Sequence, residues 1–316
     1  MKAYYYDNFY FLLPPEHRFP APKYPGLRQR LVETGVLGAA DLHTPDPASD
    51  AQLLLVHTPE YLEKISCGTL SEREARRIGF PWSQGLAERS RRSVGATIAV
   101  GRAALEEGIA ASLAGGTHHA YPDHGEGYCV FNDVAVAVRV LQQEGKIRQA
   151  LIIDLDVHQG NGTAFIFSND PSVFTFSVHG QKNFPFHKET SSLDIALPDG
   201  TTDADYLQAV EQGTPQALSA CSPDLAIYLA GADPFIGDRL GRMAVSKAGL
   251  AKRDAFVFSL CAQAGIPLAV VMSGGYARDV NDIVDIHCET ISQAGETWHA
   301  YSAYRERRMY QNDHLQ

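Results

Sequence analysis

Short apolar runs punctuate this chain at Ala3–Tyr6, Leu53–Val56, Ala111–Ala114, Ala150–Asp154, Val173–Ser177, Leu225–Ala230 and Leu268–Met272. Runs of this length, apolar at both odd and even positions, predict strands buried on both faces. Between them, apolar residues recur at helical spacing over Gly26–Val36, Leu86–Glu107, Asp133–Glu144, Asp205–Ser219, Lys247–Ala264 and Asp279–Gln293. Strand alternating with helix predicts an α/β fold, a central parallel sheet flanked by helices on both faces. No repeat or low-complexity stretch interrupts the pattern, so one domain over residues 1–316 is expected. The Pro14–Pro25 and Asp41–Asp50 stretches read as ordered loops.

The segments that follow the runs are polar and glycine-rich. Gly115-Gly-Thr-His-His119 follows Ala111–Ala114, and His158–Gly162 follows Ala150–Asp154. Gly231-Ala-Asp233 follows Leu225–Ala230, and Ser273-Gly-Gly-Tyr276 follows Leu268–Met272. Sites in open parallel sheets form outside the carboxyl ends of the strands. These segments therefore converge on one edge of one sheet.

Their side chains suggest a chemistry. Residues two apart on a strand point the same way, which puts Asp154, Asp156 and His158 on one face. Burying two carboxylates and an imidazole is costly without a partner, and a divalent metal supplies one. Taken alone, Asp-x-His at a strand end fits a hydrogen-bonded turn equally well. Asp233, before a proline, would alone be a turn former. Behind an apolar strand it is placed as a third ligand, and three protein ligands leave the open coordination of catalytic zinc. His118 and His119 can supply a base and a positive field. Glycines carry the Tyr276 phenol forward, where it can donate to an oxyanion. Tyr128 and Phe184 are candidate walls of a substrate channel, although aromatics in such contexts are more often core.

Composition narrows the field. The chain has 316 residues, 45% of them hydrophobic, and a net charge of -10. Acidity speaks against gripping a phosphate backbone and would suit a cationic substrate. The scattered cysteines Cys67, Cys129, Cys221, Cys261 and Cys288 form no disulfide framework. Met1–Asp7 lacks the apolar core of a signal peptide, and no stretch is long and apolar enough to span a bilayer. A cytoplasmic protein is expected.

The segments Gly115-Gly-Thr-His-His-Ala120, Gly127-Tyr-Cys-Val-Phe-Asn-Asp133, Asp154-Leu-Asp-Val-His-Gln-Gly-Asn-Gly162, Gly231-Ala-Asp233, Gly237-Asp-Arg-Leu-Gly241 and Ser273-Gly-Gly-Tyr276 occur in this order. Together they resemble the zinc-dependent deacetylases of the histone deacetylase family, with an arginase-like α/β fold. With Lys252-Arg-Asp254 they are most similar to the class IV branch and its bacterial relatives. The resemblance implies that Asp156, His158 and Asp233 hold zinc, although the same ligands accept iron(II). It implies that His118 and His119 are the tandem histidines, His119 transferring the proton, and that Tyr276 polarises the substrate carbonyl. Asp154 would orient His118 from behind. Asp154 and Ser177 would lie near a structural potassium ion. Asn161 stands where class I relatives place an aspartate beside His119, so His119 is expected to be a weaker base here. Thr117 replaces a bulkier residue and would leave the site roomier.

The implied activity is removal of acetyl or longer acyl groups from lysine side chains of proteins or peptides. A small acylated amine, such as an acetylpolyamine, is the nearest alternative. Arginase-like chemistry on two manganese ions would need further aspartates, which Gly231-Ala-Asp-Pro234 lacks. A non-catalytic acyl-lysine binding module would be expected to have lost a ligand, a histidine or the tyrosine, and all are present. Substrate choice would rest with rim loops such as Asp7–Tyr24 and Cys67–Gln84. The sequence implies no oligomeric state.

Overall fold

The computed structural model describes residues 1–9, 13–14 and 16–313, with side chains up to Ala300. Residues 10–12 and 15 of the Asp7–Tyr24 loop lie outside the described residues. The strands are β1 (Ala3–Tyr4), β2 (Leu42–His43), β3 (Ile109–Ser112), β4 (Ala150–Asp154), β5 (Val173–Gly180), β6 (Leu193–Leu197), β7 (Leu225–Leu229) and β8 (Leu268–Val271). The helices are α1 (Lys23–Glu33), α2 (Asp50–Leu53), α3 (Pro59–Cys67), α4 (Glu72–Ile78), α5 (Gln84–Glu107), α6 (Asp133–Gln143), α7 (Asn161–Phe167), α8 (Asp203–Cys221), α9 (Lys247–Ala264) and α10 (Val280–Asp313). All strands join one 8-stranded parallel sheet in the order β2-β1-β3-β8-β7-β4-β5-β6.

Both faces of the sheet are buried, as the unbroken apolar runs predict. Leu151 and Ile153 of β4 join Leu27 and Leu31 of α1, Val210 of α8, Val257 and Phe258 of α9 and Ile283 of α10 in one core. Ala150 and Ile152 point the other way, into a core with Val100 and Ala104 of α5, Val134 and Val138 of α6 and Phe167 of α7. A further cluster around Tyr61, Ile65, Ile78, Phe80 and Phe131 supports the loops at one end.

The structure corrects one predicted strand. Leu53–Val56 is the end of α2 and the turn beyond it. Ser49 accepts from the Gln52 N–H while the Gln52 side chain returns to the Ser49 N–H, a reciprocal cap that outweighs four apolar residues. The β2 and β6 strands escaped the pattern because they lie at the sheet's edges and are only partly buried. The short α3, α4 and α7 escaped it too, although Thr58-Pro59 and the Ser71/Glu74 capping box announce the first two.

One buried ion pair ties the helical layer to the sheet. Arg253 is fully buried on α9, its Nε 2.8 Å from Asp254 Oδ1. Its Nη1 donates to the carbonyl of Gly231, just past β7, at 2.6 Å. Asp254 also accepts from Thr290 Oγ1 at 2.6 Å and from the Tyr228 hydroxyl. Removing one partner of such a pair strands the other charge. Arg253→Met should therefore cost about 3–5 kcal/mol of unfolding free energy, measured by denaturant titration. A cost under about 1 kcal/mol would show that the pair does not brace this region.

Candidate active site

The sheet order explains why distant segments meet. β3, β8, β7 and β4 are consecutive neighbours. The loops leaving their carboxyl ends carry His118 and His119, Tyr276, Asp233, and Asp156 and His158 respectively. Parallel strands deliver all four loops to the same edge.

Asp156, His158 and Asp233 are buried, and one ligand atom from each lies within 4.8 Å of the others. His158 Nδ1 is 3.0 Å from Asp156 Oδ1 and 3.2 Å from Asp233 Oδ2. Ligand edges of roughly 3.3 Å follow from tetrahedral zinc with bonds near 2.0–2.1 Å, so the spacing fits one small divalent ion. The carboxylates are held from behind. Asp156 Oδ2 accepts from Ser273 Oγ and Gly274 N, both at 2.7 Å, and Asp233 Oδ1 accepts from Val157 N at 2.9 Å. Gly274 leaves room for them: a Cβ there would lie 1.9 Å from Asp233 Oδ2 and 2.6 Å from Asp156 Oδ2. Burial disfavours charge on His158, yet its hydrogen bonds to Asp156 and Asp233 push its pKa up to about 10. The site draws positive charge to the point where the three side chains meet. Asp154, Asp156 and His158 do converge, but through a turn: β4 ends at Asp154, and Asp156 Oδ1 accepts the His158 N–H at 2.9 Å.

His118 and His119 lie beside this cluster, ring centroids 4.1 Å apart and planes tilted by 49°. His118 Nδ1 lies 2.7 Å from Asp154 Oδ2. Burial opposes its charged form, but Asp154 and Asp156 outweigh burial and push its pKa up to about 9. Asp154 is in register with Ser177 of β5, and its Oδ1 accepts from Asp156 N at 3.2 Å. Ser177 Oγ lies 3.0 Å from His179 Nδ1.

His119 Nδ1 lies 2.7 Å from the amide oxygen of Asn161. That oxygen can only accept, so Nδ1 carries the proton and Nε2 keeps a free lone pair. Burial, then the neighbouring His118 and His158, hold its pKa well below the ordinary histidine value. The amide is itself oriented, because Asn161 Nδ2 donates to Glu126 Oε1 at 2.6 Å and to the Tyr121 hydroxyl at 3.2 Å. Glu126 went unnoticed in the sequence; its only signal was a carboxylate just ahead of Gly127-Tyr128.

Tyr276 is nearly buried, its ring 6.2 Å from that of His158. Burial, then Asp156 and Asp233, raise its phenol well above the usual range, so it stays a donor. Its backbone is clamped. Tyr276 N donates to Asp238 Oδ2 at 2.6 Å, and Arg239 Nε donates to Tyr276 O at 2.9 Å. The Gly-Asp-Arg-Leu-Gly segment therefore positions the tyrosine. The histidine loop has its own anchor in buried Asp133, which accepts from Gly116 N at 2.9 Å, Thr117 N at 2.7 Å and Thr97 Oγ1 at 2.7 Å. Thr117 is tied back as well, its hydroxyl 2.6 Å from Phe131 O.

Tyr128 and Phe184 line the same open cavity as His119, His158 and Tyr276. Gly127 lets the wall close in, since a Cβ there would meet His119 at 2.7 Å and Phe184 at 3.0 Å. Tyr128 holds a left-handed backbone, φ 66°, stabilised by its N–H on Ile78 O at 2.7 Å and by ring contacts with Phe80 and Phe19.

A family model described as the histone deacetylase domain matches residues 17–291. An uncharacterized protein of Picosynechococcus is 47% identical over 90% of this chain and 94% of its own length. Histone deacetylase 2 of Arabidopsis thaliana is 30% identical over 92% of this chain and 77% of its own. The crystal structure of an HDAC homolog complexed with SAHA superposes with a TM-score of 0.77 at 21% identity, covering 93% of this chain and 84% of that one. The chain belongs to the histone deacetylase family and has its α/β fold.

Glu126 gives Asn161 a physical reason. The position must donate to Glu126 and accept from His119, which an amide does and a carboxylate cannot. Asn161→Asp should destabilise the protein by about 1–2 kcal/mol near neutral pH, and adding Glu126→Gln should recover most of that. Denaturant titrations of the two single variants and the double variant measure the coupling; strict additivity would remove Glu126 from this role.

Proposed function

We propose that this member of the histone deacetylase family hydrolyses amides of acylated lysine side chains in proteins or peptides, releasing lysine and a carboxylate. The observation that carries this reading is one cavity lined by His119, His158 and the buried Tyr276 phenol, with Asp156 and Asp233 clustered on His158 and His118 beside His119. Asp156, His158 and Asp233 would hold a divalent ion, zinc in the first place and iron(II) in the second. Once bound, that ion supplies Lewis-acid polarisation and lowers the pKa of water. A potassium ion near Asp154 and Ser177 belongs to the same reading, as does an affinity with the class IV branch.

The protein's own groups account for the proton movements. His119 Nε2, unprotonated because Nδ1 is committed to Asn161, takes a proton from the attacking water. The water oxygen bonds to the carbonyl carbon, and the carbonyl oxygen gains negative charge. Tyr276 meets that charge with its O–H, kept protonated by burial. His118, its charge favoured by Asp154, holds a positive field beside the reaction. The carbon–nitrogen bond then breaks, and the proton on His119 passes to the leaving amine. Tyr128 and Phe184 would flank the aliphatic stem of the lysine. A cytoplasmic location belongs to the same reading and is supported by five free cysteines.

Turnover of the metal-loaded protein on lysine peptides carrying acetyl through myristoyl groups, with acetylated polyamines alongside, tests the reading. Hydrolysis of the peptides supports it, and turnover of polyamines alone replaces it with small-molecule chemistry. Tyr276→Phe and His119→Ala should each lose about 100-fold or more in kcat while metal analysis shows the ion retained. Full activity in either variant would remove that residue from the mechanism.

The pH profile gives a separate check. A carboxylate beside His119 raises the pKa of its imidazolium, and the base must be unprotonated to act. In a Glu126→Gln background, Asn161→Asp should therefore move the acidic limb of kcat/KM to higher pH. An unmoved limb would show that the group beside Nδ1 does not tune the base.

A further inference from the structure

The cavity above the site is about 1450 Å³, open solvent included, and its mouth has an unusual charge. Six cations line it: Arg18, Arg76, Arg77, Lys182, Arg239 and Arg242. They come from the N-terminal loop, the end of α4, the segment after β5 and the loop after β7. Acids outnumber bases in the chain as a whole, 37 to 27. At the mouth that balance is inverted. Glu126 is the one carboxylate among the described residues lining the cavity, and it is engaged by Asn161.

Little of this positive charge is neutralised. Arg76 pairs with Glu72 at 3.0 Å and Arg242 with Asp199 at 3.2 Å, both solvent-exposed pairs of small worth. Arg239 spends its guanidinium on the carbonyls of Tyr276 and Arg18, which takes up donors without cancelling charge. Arg18, Arg77 and Lys182 pair with no carboxylate among the described residues. All six are exposed, whereas His158, which lines the same cavity, is buried, as are Asp156 and Asp233 clustered on it. They would therefore face the part of a substrate that stays outside the channel. Phe186, 80% exposed, stands on the same rim, where a peptide chain would cover it and a small amine held inside would not.

We propose that this site is built for acyl-lysine flanked by acidic residues: the substrate segment outside the channel carries carboxylates that the rim cations recognise. This rests on the lysine-deacylase reading above and deepens it. A cationic polyamine or a lysine- and arginine-rich segment would meet like charge at the entrance. The lever is entry and capture: cations around a cleft focus the field and raise the local concentration of an anionic ligand.

The test uses peptides of equal length, each with one acetyl-lysine flanked by Asp and Glu, by Ser and Gly, or by Arg and Lys. Acetylated spermidine and N-acetyl-6-aminohexanoate serve as the small cationic and small anionic amides. At low ionic strength kcat/KM should favour the acidic over the basic peptide by on the order of tenfold or more, mainly through KM. The ratio should shrink as salt is raised. Arg77→Glu combined with Lys182→Glu should collapse or invert it. Turnover of the neutral peptide with no charge preference, or with the basic peptide preferred, would overturn the proposal while leaving the deacylase reading intact. Preference for the aminohexanoate over the acidic peptide would overturn the peptide assignment. If no substrate turns over, the deacylase reading fails by itself. The charge order is then read from Kd by fluorescence anisotropy of the same labelled peptides, where tighter binding of the acidic peptide supports the proposal and equal or reversed affinities overturn it.

Discussion

Everything at the functional end of this molecule answers to one electrostatic demand. Asp154, Asp156 and Asp233 bring three carboxylates into the interior, each almost wholly removed from water. Such groups are tolerable only if positive charge or fixed hydrogen bonds reach them. Two buried histidines, His118 and His158, the hydroxyl of Ser273 and the amides of Val157 and Gly274 reach them. The excess of anion is what makes a divalent cation fit. It adds to burial in keeping the Tyr276 phenol protonated, and through Asp154 it favours charge on His118. The proposed metal binding, the proposed oxyanion donation and the field beside His119 would thus share one source in this cluster.

That cluster would not hold its geometry on loops alone. Four loops carry it, and three of them are pinned by groups outside the reaction zone. Asp133 holds the histidine loop, Asp238 and Arg239 hold the tyrosine, and Arg253 holds the backbone at Gly231, two residues before Asp233. The anchoring side chains form hydrogen bonds to backbone, so they fix positions without entering the chemistry. This division gives the Gly-Asp-Arg-Leu-Gly and Lys-Arg-Asp segments a role although neither supplies a candidate ligand.

Much of this was legible in the residue pattern, and what was not has identifiable causes. Central strands read as apolar runs because both faces are covered; β2 and β6 did not, because an edge strand mixes buried and wetted positions. The polar segments behind the central strands pointed to the site because parallel strands put all their carboxyl ends on one side. Glu126 was invisible for the opposite reason. It lies 35 residues from Asn161 in sequence, and nothing local marks its side chain as the holder of an amide. Leu53–Val56 shows a further limit. A short apolar run carries no period, so the reciprocal cap at Ser49 and Gln52 decided its structure.

Net charge and the charge at the cavity mouth differ for a related reason. An overall charge of -10 suggests a cationic substrate if charge is taken as a property of the whole surface. A substrate at the mouth feels charges within about 8 Å at physiological ionic strength, because more distant exposed groups are screened. The residues lining the cavity are six cations and one carboxylate that is already engaged, with Glu72 and Asp199 in exposed pairs behind two of the cations. The acidic remainder of the surface serves solubility and contributes little at the entrance. The sign that matters is the one the fold assembles locally, from arginines and a lysine on segments that only the folded chain brings together.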